Sequence, residues 1–186
     1  MKKKLYVIDL DNTLLECDSF TLIIKRHLSL YLVYIGLARK LKLISRYQFA
    51  KKATQHLENR LNEEQIHGFV KTLDRYVNNQ VMDHIRSRLV PDATLLIISA
   101  SPNFYVSRID LIKHSQKMGS FFKNSYFYHL YGDVKYDYIT QKYPQNLYDY
   151  YYAITDSLAE TAILNHFTNS YIVCKNQIVL YGQTHK

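Results

Sequence analysis

The sequence predicts an α/β protein in which a parallel β-sheet carries a helical segment inserted after its first strand. The main observation is that short apolar runs alternate with helical patterns from residue 89 onward, an order typical of parallel strands joined by helical crossovers. A second observation is that residues 15–88 have helical spacing and contain no proline. A length of 186 residues suits one domain, or one domain with a large insertion.

The first strand is predicted at residues 4–10, and helices follow it up to about residue 88. Asp18 or Ser19 can cap the first helix, and its apolar positions follow helical spacing. Those positions are Phe20, Ile23, Ile24, Leu28, Tyr31, Leu32 and Ile35. Ser45 with Gln48 and Asn62 with Gln65 have the spacing of capping boxes, which predicts two more helix starts.

The second half of the chain predicts strands and helices in turn. The run "TLLIISA" at 94–100 is typical of a parallel strand that is covered on both faces. Ser101 and Pro102 then predict the start of a helix that reaches about Met118. Further strands are predicted at 125–130, 148–156 and 170–176, with a last hairpin arm at 177–182, and further helices at 134–142 and 158–167.

The composition is that of a globular protein, with 47% hydrophobic and 22% charged residues. Cys17 and Cys174 are far apart and have no ligand spacing, which argues against a disulfide framework or a zinc site and fits a reduced, cytoplasmic setting. The apolar run after the basic residues 2–4 is interrupted by Asp9 and Asp11, unlike a secretory signal. No stretch reaches the roughly 20 apolar residues of a membrane span.

The positive charge is concentrated in one segment. Residues 19–57 contain eight Lys and Arg residues and no Asp or Glu, which accounts for the whole net charge of +8. Such a segment attracts an anionic partner, although a solvated basic face with no role beyond solubility is equally consistent with the pattern. The residues at 28–37 are also apolar enough for a groove or a membrane contact, but packing inside a helical bundle is the favoured interpretation.

Polar residues follow several of the predicted strands. Because ligands of parallel sheets bind at the carboxyl ends of the strands, we expect these residues to converge at one edge. They are Asp9, Asp11 and Thr13 after the first strand, Ser99 and Ser101 on the second, Asp156, Ser157 and Glu160 after a later one, and Lys135 at a helix start. A cluster of oxygen ligands without His or Cys is what Mg²⁺ prefers.

Four motifs in this order resemble those of the haloacid dehalogenase (HAD) superfamily of phosphotransferases. They are "DLDNT" at 9–13, "IISAS" at 97–101, "GDVKYDYI" around Lys135 and "TDSLAE" at 155–160. The branch that contains phosphoserine phosphatase is the most similar, and its members carry a helical cap between the first two motifs. The resemblance implies a Rossmann-like parallel sheet core at 1–14 and 89–186 and an inserted α-helical cap domain at 15–88.

The resemblance also implies a magnesium-dependent phosphatase, a phosphoric monoester hydrolase that works through an aspartyl-phosphate. Asp9 would be the nucleophile, and Asp11 would protonate the leaving group and later deprotonate water. The implied residues for Mg²⁺ are Asp9, Asp11, Asp156 and Glu160, and those for the substrate phosphate are Thr13, Ser99 and Lys135. Glu160 departs from the family pattern, which has an aspartate at this position.

The substrate class stays open between a small phosphorylated metabolite and a lipid phosphate head group. Asp18 lies near the position where phosphoserine phosphatases place a glutamate that reads the substrate amino group, but an N-cap is its simpler role. The basic segment would also allow peripheral contact with an anionic membrane surface. The alternative function is a catalytically weak or inactive protein of this fold that binds an anionic partner, a lipid surface or a nucleic acid, although the chain has no dedicated nucleic-acid motif.

Overall fold

The structure, a computed structural model, describes residues 2–174 and 177–182. Among these residues seven strands form one sheet in the order β4-β3-β2-β1-β5-β6-β7. The strands are β1 (Lys3–Asp9), β2 (Thr94–Pro102), β3 (Gln116–Lys123), β4 (Tyr126–Tyr128), β5 (Tyr148–Thr155), β6 (Asn169–Cys174) and β7 (Gln177–Leu180). The five central strands pair in parallel, and β4 and β7 add antiparallel edges. The predicted α/β fold with a mostly parallel sheet is confirmed.

The central strands are apolar on both faces because helices cover both sides of the sheet. In β1, Tyr6 and Ile8 belong to one hydrophobic cluster, and Leu5 and Val7 belong to a second cluster on the opposite face. The first cluster includes residues of the helices between β1 and β2, and the second includes residues of the helices near the C-terminus. Burial on both faces explains why these strands read as unbroken apolar runs rather than as alternating ones.

Five α-helices of the described chain lie between β1 and β2. They are α1 (Ser19–Arg26), α2 (Leu30–Lys40), α3 (Arg46–Arg60), α4 (Glu63–Leu73) and α5 (Asn79–Arg86). The capping boxes predicted at Ser45 and Asn62 are present and begin α3 and α4. The pattern expected to form one helix from residue 19 to 35 is divided into α1 and α2, because Ser29 caps a new helix by accepting a hydrogen bond from the Leu32 N–H.

The helix predicted from Ser101 to about Met118 is mostly wrong. β2 continues through Pro102, which pairs with Ser120 of β3, and α6 spans only Asn103–Val106. Gly119 lies so close to the Ser101 carbonyl that a Cβ atom would be 2.4 Å from it. The strand therefore continues because it pairs with β3, a contact between residues that are distant in the sequence.

The remaining elements agree with the predicted order. α7 (Asp133–Lys142) precedes β5, and a short turn at Leu158–Glu160 leads into α8 (Thr161–His166). β7 pairs antiparallel with β6 as the predicted hairpin arm, and residues 175–176 of the predicted strand lie outside the described residues. Within the described chain, each helix is too short or too polar to cross a membrane. The division into a core at 1–14 and 89–186 and a cap at 15–88 stays a prediction.

Candidate functional site

The candidate site begins where β1 ends. Asp9 is the last residue of β1, and the chain then turns through Leu10–Leu14. Asn12 has a φ of 54°, a left-handed conformation that asparagine tolerates better than most residues. Its backbone N–H donates to the carbonyl of Cys17, 3.1 Å away. This turn places Asp9, Asp11 and Asn12 along one wall of a cavity.

Asp9 is buried and both of its carboxylate oxygens are hydrogen-bonded. Lys135 Nζ donates to Oδ1 at 2.6 Å, and Thr13 Oγ1 donates to Oδ2 at 3.1 Å. The ammonium group of Lys135, which is fully buried, also contacts the carboxylate of Glu160. Each carboxylate oxygen has two lone pairs, so Asp9 keeps acceptor capacity that can face the cavity.

The pKa values around Asp9 reflect burial first and the neighbouring charges second. Burial raises the pKa of Asp9 to about 8, while the charge of Lys135 acts in the opposite direction and the carboxylates of Glu160 and Asp156 add to the rise. Burial alone would lower the pKa of Lys135, but Asp9 and Glu160 together raise it. Burial and Glu160 also raise the pKa of Asp156, which accepts a hydrogen bond from the Asn12 side chain.

Lys135 pairs with the carboxylates of Asp9 and Glu160, and Asp156 acts on the same group through its charge, so two negative charges lack a partner when all four groups are ionised. By chemical type, carboxylate oxygens suit a hard divalent cation such as Mg²⁺, but their arrangement falls short of a three-carboxylate site. Within residues 2–174 and 177–182, no cluster of three or more His, Cys, Asp or Glu side chains is arranged to hold a metal ion. A magnesium site of the kind that the resemblance implies needs fewer carboxylates. Asp11 would contribute its backbone carbonyl, and Glu160 is already paired with Lys135, so only Asp9 and Asp156 would bind through their side chains.

Asp11 is held by donors from two different parts of the chain. Its Oδ2 accepts hydrogen bonds from Ser99 Oγ at 2.7 Å and Ser101 Oγ at 2.6 Å, both on β2. Its Oδ1 accepts from the backbone N–H of Ser19, the first residue of α1, at 2.7 Å. Asp11 therefore connects the sheet to the first inserted helix.

A buried hydroxyl network lies behind Asp11. Ser19 Oγ is 2.9 Å from the hydroxyl of Tyr105 and also donates to Ser101 Oγ at 3.4 Å. Tyr105 is fully buried, and burial followed by the charge of Asp11 raises its pKa well above the usual value. The tyrosine therefore stays a neutral hydroxyl that can orient Ser19 and Ser101.

The cavity beside these residues has a volume of 430 Å³. Its acidic end is formed by Asp9, Asp11, Asp156 and Glu160, together with Ser99 and Ser101. Other lining residues come from the inserted segment and from the segment after β4. They are Asp18, Phe20, Thr21, Ile24, Lys25, Arg46, Phe49, Ala50, His129 and Tyr131.

The structure brings the seven predicted site residues to one edge of the sheet, with some contacts that differ from the expected ones. Ser99, expected at the substrate phosphate, donates a hydrogen bond to Asp11. Thr13 and Lys135 are fully buried and act on Asp9. Glu160, expected at the metal, is paired with Lys135. Asp18 caps α1 by accepting from the Thr21 N–H at 2.7 Å, as its simpler role predicts.

The sequence predicted Ser101 at this edge of the sheet but gave it no specific role, and it assigned no site role to Asn12, Ser19 or Tyr105. Asn12 lies within the "DLDNT" motif, where its side chain reaches Asp156. Ser19 acts through a backbone N–H, so residue type carries no signal for its role.

The comparisons with known proteins find a shared fold and no sequence relative. No family model and no curated protein matches the chain. A protein of unknown function from Bordetella pertussis Tohama I superposes with a TM-score of 0.69 at 14% identity, over 91% of this chain and 89% of that one. A HAD family hydrolase from Salmonella enterica subsp. enterica serovar Typhi superposes with a TM-score of 0.59 at 11% identity, over 89% of this chain and 61% of that one. The chain therefore has a HAD-like fold, shared with a hydrolase and formed by a mostly parallel sheet with helices on both faces.

Proposed function

We propose that this protein is a Mg²⁺-dependent phosphatase that hydrolyses a phosphate monoester through an aspartyl-phosphate on Asp9. The observation that carries the proposal is that two aspartates line one cavity. Asp9 is buried and held by hydrogen bonds from Lys135 and Thr13, and Asp11 lines the same cavity. The HAD-like fold of the chain supports hydrolase chemistry at this edge of the sheet.

In the proposed first step, a carboxylate oxygen of Asp9 attacks the phosphorus atom of the substrate. The bond between phosphorus and the leaving oxygen breaks, and Asp11 donates a proton to that oxygen. In the second step, Asp11 takes a proton from water, and the resulting hydroxide attacks phosphorus and releases inorganic phosphate. Asp9 is then regenerated, and the net reaction consumes one water molecule.

The hydrogen bonds of the structure support these roles. Lys135 holds Asp9 and can balance the charge that develops on the phosphoryl group. Glu160 holds Lys135, so its proposed role is to position the lysine. Ser99 and Ser101 hold the Asp11 carboxylate, and Ser99 would turn toward the phosphate when substrate enters.

The residues that would hold Mg²⁺ are the carboxylates of Asp9 and Asp156 and the backbone carbonyl of Asp11. When bound, the ion would polarise the phosphoryl group and neutralise its charge. With Asp9 ionised together with Asp156 and Glu160, the three carboxylates carry two more negative charges than Lys135 neutralises, which supports a divalent rather than a monovalent cation.

The cavity favours a substrate whose leaving group has an apolar part. Its volume of 430 Å³ suits a small molecule or the head-group end of a larger one. Phe20, Ile24 and Phe49 offer an apolar wall, while Lys25 and Arg46 add positive charge. A small phosphomonoester and a lipid phosphate head group both meet these requirements.

The test measures Mg²⁺-dependent hydrolysis of an aryl phosphate by the wild type and by Asp9→Asn. We expect the variant to lose turnover while its circular dichroism and unfolding transition show a folded protein. Equal turnover by the variant would remove Asp9 from the mechanism. Absence of turnover by the wild type on a panel of soluble phosphoesters and phospholipid vesicles would favour the alternative, a protein of this fold that only binds an anionic partner.

A further inference from the structure

The helix α2 exposes a large apolar surface. Leu30 is 90% exposed and Leu43, three residues beyond the helix, is 74% exposed. The exposed apolar face is defined by Leu28, Leu30, Val33, Tyr34, Leu37, Leu41 and Leu43. The expectation that residues 28–37 pack inside a helical bundle is therefore wrong for this face. Contiguous exposed apolar patches of this kind mark interaction sites in folded proteins.

The exposed apolar face is one of two apolar faces on the same helix. Leu32, Ile35 and Ala38, spaced by three residues, are buried against the hydrophobic core. Leu30, Val33, Tyr34, Leu37 and Leu41 recur at spacings of three and four and point to solvent, so they form a continuous stripe. A surface helix that is apolar on both sides is expected to contact a second apolar environment in addition to the core of its own chain.

The charges around this face indicate what that environment is. Arg39 and Lys40 end α2, and Lys42 lies between Leu41 and Leu43. The surrounding segment 19–57 contains eight basic residues and no acidic residue. Apolar residues bordered by Lys and Arg on a surface helix are the features of segments that lie in the interface of an anionic membrane.

The same charges argue against a second copy of this chain as the partner. Symmetric dimers pair one surface with itself, so residues 19–57 of one copy would meet the equally basic residues 19–57 of the other. Like charges brought together in this way oppose association. We therefore propose that the exposed apolar face docks on an anionic phospholipid surface, with its leucines in the acyl boundary and its basic residues at the phosphates.

The exposed apolar face lies close in the chain to two residues that line the cavity. Lys25 and Arg46 line the cavity, and each lies three residues along the chain from an end of the exposed apolar face, Leu28 or Leu43. Three residues span at most about 10 Å. Docking would hold these two basic residues of the cavity close to the lipid head groups.

The experiment measures co-sedimentation of the full chain with vesicles of phosphatidylcholine alone or of phosphatidylcholine mixed with phosphatidylglycerol. We expect binding to the mixed vesicles that weakens as salt is raised, and weaker binding to phosphatidylcholine alone. The double variant Leu30→Ser with Leu37→Ser should bind the mixed vesicles at least about tenfold more weakly, since it removes two leucines from the acyl boundary. Its hydrolysis of a soluble aryl phosphate should equal that of the wild type.

The matched control replaces exposed leucines elsewhere, Leu89→Ser with Leu147→Ser, and should leave vesicle binding unchanged. The proposal is overturned if the wild type fails to bind the mixed vesicles, or if the two double variants bind them equally. Sedimentation velocity provides the remaining arm, because a wild-type dimer that Leu30→Ser with Leu37→Ser dissociates would assign the face to a second copy. Vesicle binding does not require turnover, so this result is independent of the proposed phosphatase activity.

Discussion

Replacing Asp9 by asparagine should change how the stability of the metal-free protein depends on pH. Burial, together with Glu160 and Asp156, raises the pKa of Asp9 to about 8 in the folded state, whereas an aspartate in an unfolded chain has a pKa of about 3.9. Between these two values the folded protein holds a proton that the unfolded chain releases. The free energy of unfolding therefore falls as the pH rises from about 4 to about 8. Asparagine does not titrate, so the variant lacks this fall.

The size of the effect follows from the two pKa values. One unit of pKa corresponds to about 1.4 kcal/mol, so the Asp9 carboxyl can remove up to about 4 kcal/mol of stability between about pH 5 and about pH 8. Burial lowers the pKa of His84 and of His129 to about 4, and this changes stability in the opposite direction below neutral pH. Both histidines are present in wild type and variant, so their contribution cancels in the difference between the two proteins.

The assay is urea unfolding of wild type and Asp9→Asn at pH 5 and pH 8 in the presence of a chelator. We expect the stability of the variant relative to the wild type to rise by about 2 to 4 kcal/mol from the lower to the higher pH. Added Mg²⁺ should stabilise the wild type more at the higher pH, because metal ligands must be deprotonated. Parallel pH profiles for the two proteins would refute the claim that the buried carboxyl retains its proton.

Two further substitutions test the surroundings of Asp11. Ser101→Ala removes one of the hydrogen bonds to the Asp11 carboxylate, and a bond to a charged group is worth about 1.5 to 3 kcal/mol, so kcat for an aryl phosphate should fall about tenfold or more. An unchanged kcat would show that Ser99 and Ser19 hold Asp11 without it. Gly119→Ala would place a methyl group 2.4 Å from the Ser101 carbonyl, and overpacking against backbone should lower the free energy of unfolding by about 1 to 3 kcal/mol. Urea unfolding measures this loss, and wild-type stability of the variant would contradict the close contact.

Most of the sheet, but not β3 (Gln116–Lys123), could be predicted because its signals are local. β1, β2 and β5 are buried on both faces, so most of their residues are apolar and the strands can be recognised as apolar runs in the sequence. The start of α3 could also be predicted, since Ser45 and Gln48 lie three residues apart and form a capping box. The helix expected after Ser101 failed because the pairing of Pro102 with Ser120 is a long-range contact, which overrides the local preference for a helix start at proline.

The convergence of the candidate site residues at one edge of the sheet could be predicted, but the contacts among their side chains could not. Topology places the carboxyl ends of parallel strands together, so Asp9 and Asp156 converge without knowledge of the loops. The donation of Ser99 to Asp11 and the pairing of Glu160 with Lys135 depend on side-chain rotamers, which residue order does not encode. The exposure of Leu30 was equally inaccessible, because hydrophobic spacing reveals apolar faces without saying which of them the rest of the chain covers.

The hydrogen bond from the Ser19 N–H to Asp11 makes the orientation of Asp11 depend on the placement of α1. A tilt of this helix would remove one of the three donors that hold the Asp11 carboxylate, and return of the helix would restore it. If Asp11 transfers protons as proposed, a molecule that kept α1 displaced would meet a less firmly oriented carboxyl group. Selectivity can therefore arise from the movement of one helix as well as from the shape of the cavity.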